Sequence, residues 1–494
     1  MKKFTLSLWC AFVLTLPLFS QEPAPPGTTP STDQKDFTTV TRLEPLTISS
    51  HTADKPQGKV WTHAGKWWTV LSTSSGTKMF RLDGTAWTEV LTLINNPNSK
   101  ADCQVAGDLV HIVLFRGGNN SYLVSAEYDA ATGTYKLWSQ RPDPVNLGLD
   151  STAETATLAL DGSGRMWVAA DAKREVHVRW SDAPYTTWSA PLSIAPRTDD
   201  DDICAVAALP GKIGVFWSNM KDKRFGFKTH TDGADPSQWS EDEVPAGASA
   251  LNVGKGMVDD HLNLMVAGNG TLYCAVKTSY DTPGYPNIAL LVRRPSGNWD
   301  SLYTVTTGSD GTRPVVLLNE RLNRLKVLYT SSSSGGDILY RESPANLISF
   351  GSPKTLFTGS GVLNYATSTH QTYSSEVVVL ATGINANPMQ AVGVILADHG
   401  IAVQGEQPLQ FVTYPNPSPG ANITVAFSLA ADDKYTLTLY DMNGRKLSVL
   451  GQGAVLAGQL NTLPLEAARL QNGMYLIELR TSKLRYTYKV IIRR

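Results

Sequence analysis

The chain has 494 residues and a formal net charge of −1, so no basic field exists to draw phosphates, and nucleic acid is excluded as the default partner. Gly (40), Trp (12), Ser and Thr are plentiful, and long Ala/Glu/Lys/Leu helical windows are missing. This composition suits an all-β protein with many turns, and the length allows either several domains or one large β domain with a small companion.

Lys2 and Lys3 precede the short apolar run "FTLSLWCAFVLTLPLF", with a cut expected at Ser20-Gln21. Residues 1–20 therefore read as a signal peptide rather than a membrane span, and no second apolar stretch approaches bilayer length. Cys10 lies inside the apolar run without small residues before it, which argues against a lipoprotein anchor. Residues 21–40 read as a Pro-rich, flexible leader. Cys103, Cys204 and Cys274 remain after processing, an odd set without close spacing. That argues against a disulfide framework or a CxxC metal site, and each is expected to be a small buried hydrophobe.

From 41 to 403 one unit recurs at a spacing of about fifty residues. It is clearest over 155–194: "TATLAL", turn "DGSG", "RMWVAA", loop "DAKRE", "VHVRW", turn "SDAPYTT", "WSAPLSI". Four strands joined by hairpin turns are the size of a propeller blade. First strands are small and apolar ("CAVAAL"), as a crowded axis demands, and second strands are apolar on both faces ("IGVFW", "EVVVLA"). Trp87, Trp188, Trp239 and Trp299 recur at the third-to-fourth strand turn and read as covers for the blade edge. The last unit lacks a fourth strand, while "TRLEPLTISS" (41–50) resembles one. The expectation is a seven-bladed β-propeller (six if one unit is misread), its last blade completed by residues 41–50, which removes an open sheet edge.

The turn "WSDAPYTTW" (180–188) resembles a degraded Asp-box of the sialidase-like propellers, where such boxes are structural. The resemblance is to one turn and to the architecture. Sialidases use three arginines, a Tyr/Glu pair and an aspartate. Here "KVWTH" occupies the first inner strand, the early Arg-Ile-Pro element is absent, and Arg313-Pro314 comes too late to stand for it, which counts against sialidase activity.

Polar residues fall where first strands begin: Asp102, Glu154, Asp202, Asp260 with His261, Arg313 and Tyr365. These converge on one funnel, where crowded carboxylates raise one another's pKa as an acid/base pair requires. Asp202, Asp260 and His261 are the catalytic candidates. Arg313, Asp102, Glu154 and Tyr365 are candidate ligand contacts, joined by Tyr280 and Tyr285 in the loop "SYDTPGYPN", which suits stacking on a sugar ring. Arg116, Lys173, Arg174, Lys221 and Lys223 sit in other second-to-third strand loops at the same end. Calcium is conceivable at "TDDDD" (198–202), but the spaced pattern of a calcium loop is missing, so no metal or cofactor is expected. GxSxG, HExxH and P-loop motifs are absent.

A linker is expected over 404–413 and a small Ig-like β-sandwich over 414–494. The tail opens on "YPNPSPG" and continues with the alternating runs "ITVAFSL" and "YTLTLYD", then a hairpin signal at Asn443-Gly444. Over 409–494 it resembles the type A C-terminal sorting domain of the type IX secretion system of Bacteroidota. Three motifs match in order: Pro415-Asn416-Pro417, then "LYDMNGR" with Tyr440, Asp441 and Gly444, then "NGMYLIEL…YKVIIRR" with Gly473, Tyr475 and Lys489. The resemblance implies export to the periplasm and then across the outer membrane. It also implies tail removal by a sorting protease, then attachment to surface lipopolysaccharide or release. The expected whole is a surface or secreted propeller that binds an extracellular glycan or protein, with no transmembrane segment in the mature chain. The other readings are a carbohydrate-active enzyme of the sialidase-like kind and a structural envelope component.

Overall fold

The computed structural model describes residue 37 and residues 39–494, apart from 54, 309–310, 360, 399–409, 419–422, 430–431, 443, 457–458 and 483–484. The expected signal peptide, most of the leader and linker, and Asn443 of the tail hairpin lie outside the described residues.

Residues 39–397 form seven antiparallel sheets. The third is typical: Ala156–Leu160, Met166–Ala172, Glu175–Ser181 and Leu192–Pro196 pair in that order. Its second strand is buried at every position, as its apolar faces require of a strand sandwiched between neighbouring sheets. The first strands of the seven sheets are Val60–His63, Lys100–Ala106, Ala156–Leu160, Cys204–Leu209, Leu262–Val266, Thr312–Asn319 and Leu363–Thr367, and each lies beside the next. The last is joined back to the first by Thr367 Oγ1 donating to Gln57 O (3.2 Å) and Thr62 N to Gln371 Oε1 (3.0 Å).

Side chains tie these first strands together at one level. Asp102 accepts from Gly58 N and Leu158 N, both at 2.9 Å, Thr157 Oγ1 from Val206 N (3.0 Å), and Asn263 Oδ1 from Val316 N (3.0 Å). A short polar side chain thus replaces the strand pairing that diverging sheets cannot make.

The early strands do complete the last sheet: Thr39–Arg42 and Leu46–Thr47 both pair with Gln390–Ala397, whose other edge pairs with Glu376–Gly383. A buried ion cluster sits at this seam. Asp398 accepts from Lys326 Nζ (2.9 Å), Tyr373 Oη (3.1 Å) and Arg324, Lys326 also meets Glu342 (2.8 Å), and Phe37 lays its ring 4.4 Å from the Lys326 ammonium.

The fourth unit departs from the expected four strands. It has three, with only an isolated bridge from Phe227 to Glu243 where a fourth would run. Ser240 Oγ and Asp242 Oδ1 accept the amides of Thr229 (2.9 Å) and Phe227 (3.2 Å), and Ser240 N and Glu243 N donate back to Thr229 O and Phe227 O, so the segment covers the edge without forming a strand. Trp87, Trp188, Trp239 and Trp299 pack against buried clusters, as structural rings should. The three cysteines are buried and unpaired, and burial raises their thiols well above the ordinary range.

The tail has two sheets. Gln410–Tyr414, Ile423–Ser428 and Asn461–Leu465 form one, and Lys446–Val455, Asp433–Asp441, Gly473–Thr481 and Arg485–Ile492 the other. Their alternating apolar residues meet in one core, Ile423, Val425 and Phe427 facing Leu437, Leu439 and Ile477.

Candidate functional site

All first strands start at one end of the domain, and that end carries the polar residues. Two of the inner strands begin with a bulge that re-aims a side chain. The register shifts between Thr312 and Val315 and between Asn364 and Thr367, and the residues inside, Arg313 (φ +50°) and Tyr365 (φ +56°), adopt left-handed backbone. Lys55, just before the first sheet, does the same at φ +56° and, like Arg313 but not Tyr365, precedes a proline. Bulky residues at positive φ are uncommon and cost about 1 kcal/mol or more each.

Lys55 belongs to a strap, residues 48–58, between the seam strands and the first sheet. Thr52 fixes the strap, donating from N to Thr382 Oγ1 (2.8 Å) and from Oγ1 to Tyr365 O (2.6 Å). From there Lys55 pairs with Asp260 of the fifth unit and with Glu154 of the third (3.3 Å). Burial alone would lower the Lys55 pKa, but these two carboxylates raise it. Asp260 also meets His261 Nδ1 at 2.7 Å, which meets Asp259 at 2.6 Å, and Lys277 Nζ closes on Asp259 at 2.9 Å. Burial opposes charge on His261, yet the two carboxylates win and raise its pKa. Burial would raise Asp260, but His261 and Lys55 hold it far below the usual carboxylate range. His261 Nε2 is buried without a hydrogen-bond partner.

On the other side of the strap, His51 stacks on Tyr365 (3.9 Å between centroids, 13° between planes), and the Arg313 guanidinium lies 4.5 Å from the Tyr365 ring centre. Arg313 Nε is buried without a partner. Flat rings and a guanidinium of this kind suit the faces of sugar rings and their polar edges.

Several candidates are placed differently from the sequence reading. Asp102 is fully buried, its oxygens spent on the amides named above, so it does not face the mouth. Asp202 is 2 % exposed and accepts from Asp199 N (2.6 Å) and Met220 N (3.1 Å). Its neighbour Asp201 is the exposed one, raised by burial and then by the charge of Asp260. Tyr280 is pinned through its hydroxyl to Leu251 N and O, both at 3.1 Å, with Tyr285 tilted against it at 5.0 Å. Glu154, Asp260, His261, Arg313 and Tyr365 do line the strap. Sequence reasoning missed Lys55, His51, Asp201, Asp259 and Lys277. The Lys55-Pro56 dipeptide, which repeats Arg313-Pro314, was the available signal.

Asp259, Asp260 and His261 offer ligand atoms within 4.8 Å of one another. A divalent cation there would have to displace both Lys55 and Lys277. In the "TDDDD" run the oxygens serve separate partners, Asp199 pairing with Lys221 and Asp200 with Arg174 (3.3 Å).

Among the first strands lies a cavity of about 140 Å³, lined by Pro56, Gln104, Thr157, Val206, Leu264 and His370. Small-molecule sites usually have about 300–1,000 Å³, so this cavity is below their usual size.

In the tail, Asn416 is the pin of the Pro-Asn-Pro entry. Its Nδ2 donates to Lys489 O (2.8 Å), and its Oδ1 accepts from Ile491 N (2.9 Å), which locks the entry onto the final strand. Gly444 sits at φ +77°, where Asp441 caps the turn through Arg445 N (2.9 Å). Tyr475 Oη donates to Gln471 O (3.0 Å), while Tyr440 and Gly473 occupy their strands.

No curated protein matches the sequence. Among solved structures, the chain is similar to a protein of unknown function from Dyadobacter fermentans (13% identity, 72% of this chain and 99% of that one, TM-score 0.41). It is also similar to an ulvan lyase bound to a GlcA–Rha3S saccharide (10%, 70% and 95%, TM-score 0.47) and to Trypanosoma rangeli sialidase (10%, 91% and 89%, TM-score 0.42). Among the described residues, no helix is long and apolar enough to cross a membrane. Residues 412–493 match the secretion system C-terminal sorting domain, which marks the chain as cargo of type IX secretion, delivered to the cell surface.

Proposed function

We propose that the seven sheets are the blades of a propeller, and that this exported protein binds an extracellular glycan at the propeller's axial mouth. One observation carries the reading: Lys55, Arg313 and Tyr365 sit at one end of the inner strands, all three in left-handed backbone. Strain of this kind persists only where surrounding structure holds it, and it clusters at ligand sites. His51, Tyr365 and Arg313 form one stack of flat groups, Arg313 keeps a donor without a partner, and Lys55, Glu154, Asp201 and Asp260 give a polar rim for hydroxyl groups.

The test is a broad glycan array probed with the full chain, each spot checked for retention and for cleavage. The expected result is retention of intact sugar that is lost in Arg313→Ala and Tyr365→Ala. Array silence, or retention unaffected by both variants, would sink the mouth as a glycan site. A second reading, a carbohydrate-active enzyme, rests on His261 held between Asp259 and Asp260. Cleavage that disappears in His261→Gln would establish it over simple binding.

A further inference from the structure

A second pocket, with a cavity of about 60 Å³, lies away from the mouth. It lies between the tail and the far ends of the fifth and sixth sheets. Val412, Tyr414 and Ala426 of the tail face Tyr273, Arg294 and Leu318 of the larger domain. Tyr488, on the last strand, donates from its hydroxyl to Asn346 O at 3.4 Å. Burial raises the pKa of both Tyr414 and Tyr488, with Arg294 beside each as the opposing influence.

The strands themselves show which end this is. Leu262–Val266 starts next to His261 in the mouth and ends at Ala267, which lines the tail's cradle. Thr312–Asn319 starts at Arg313's bulge and ends beside Glu320, which lines the same cradle. At about 3.4 Å per residue these strands separate the two surfaces by roughly 15–25 Å. The chain also leaves the larger domain at this far end, since Gln390–Ala397 runs antiparallel to Glu376–Gly383, whose end is level with the start of Leu363–Thr367.

We infer that the far ends of the fifth and sixth sheets are a docking surface for the sorting domain. The tail is carried as a docked module on the face opposite the ligand mouth, and Arg294, Tyr414 and Tyr488 are its main anchors. The arrangement has a functional consequence, which rests on the mouth reading above: the precursor is already competent to bind ligand, and removing the tail changes the far face only. The cradle is mixed in character, with Arg294, itself paired with Asp300, and Tyr414 among apolar walls, as befits an interface that must later part.

The experiment uses the full chain with a protease site introduced at 404–406. After cutting, the tail is expected to co-elute with the larger domain in size exclusion at micromolar concentration, with hydrogen exchange at 269–271 and 345–347 still slowed. Arg294→Ala and Tyr488→Ala, each checked for an unchanged melt, are expected to weaken retention about tenfold. A cut tail that elutes alone with fast exchange at those loops overturns docking, as does retention indifferent to both variants. Ligand affinity measured before and after cutting should agree within twofold, and a rise on cutting would overturn the free-mouth consequence. If no glycan binds at all, the glycan reading falls while the retention arms still decide docking.

Discussion

Two charge networks of similar make-up occupy the larger domain, and they differ in where they are wet. At the seam Lys326 and Asp398 are both 0 % exposed in their side chains and Glu342 is 6 % exposed. At the mouth Lys55 and Asp260 are 13 % and 15 % exposed, and Glu154 is 40 %. The seam network ties the chain entry at Phe37 and the domain exit at Asp398 to the sixth sheet, in backbone with no positive φ at any of its members. The mouth network instead joins units that are not neighbours, through a strained lysine on a strap. One arrangement closes a fold. The other holds polar groups ready at a surface, at a cost in backbone strain.

If that contrast is right, the two networks should fail in different ways. Asp398→Asn leaves the Lys326 ammonium in a dry site with half of its compensation gone, and is expected to cost about 3–5 kcal/mol in denaturant unfolding. Ligand retention by the molecules that remain folded should not change. A loss under about 1 kcal/mol would mean that the seam is not the closing device.

Asp260→Asn is expected to cost less, about 2 kcal/mol for charge-assisted bonds that water can partly replace, and to reduce ligand retention at least tenfold. The same variant tests a pH dependence. His261 has a raised folded pKa, so its contribution to stability is fully present below its unfolded value of about 6.5 and is lost as pH rises through the folded value. Thermal melts across pH 6 to 9 should show that decline in the native protein, and Asp260→Asn should flatten it. A native profile that is flat or rises over this window would remove His261 from the network.

Much of the fold was legible because its units repeat. Small inner strands, doubly buried second strands and tryptophans at fixed turns carry a period that six approximate copies make visible, and the strand at 41–50 found its place by its likeness to the other fourth strands. The missing strand of the fourth unit was not legible, since "WSEDEV" reads like the fourth strands of its neighbours, yet it makes only an isolated bridge. The site was legible by location more than by residue. Asp202 and Asp201 differ by one position, and a one-residue difference sends one carboxylate to backbone amides and the other to solvent. Asp102 looked like its neighbours along the rim, but it lies inside its strand and so belongs to the inter-sheet belt. Lys55 was hidden because the strap has no repeat to compare with, and its reach to the third and fifth units is a three-dimensional fact.

The smallest expected change in stability bears most directly on function. Tyr365→Gly removes a ring stacked on His51 and faced by Arg313, contacts worth about 0.5–1.5 kcal/mol each. It also relieves a left-handed backbone that costs a bulky residue about 1–2 kcal/mol and costs glycine almost nothing. The two terms oppose each other, so unfolding free energy should move by less than about 1 kcal/mol. Tyr365→Ala loses the ring and keeps the strain, so it should be the less stable of the two. Both should lose ligand retention equally, because the stack is broken in each. If instead the glycine variant is destabilised as strongly as Asp398→Asn, Tyr365 serves the fold, and the mouth loses its principal contact surface.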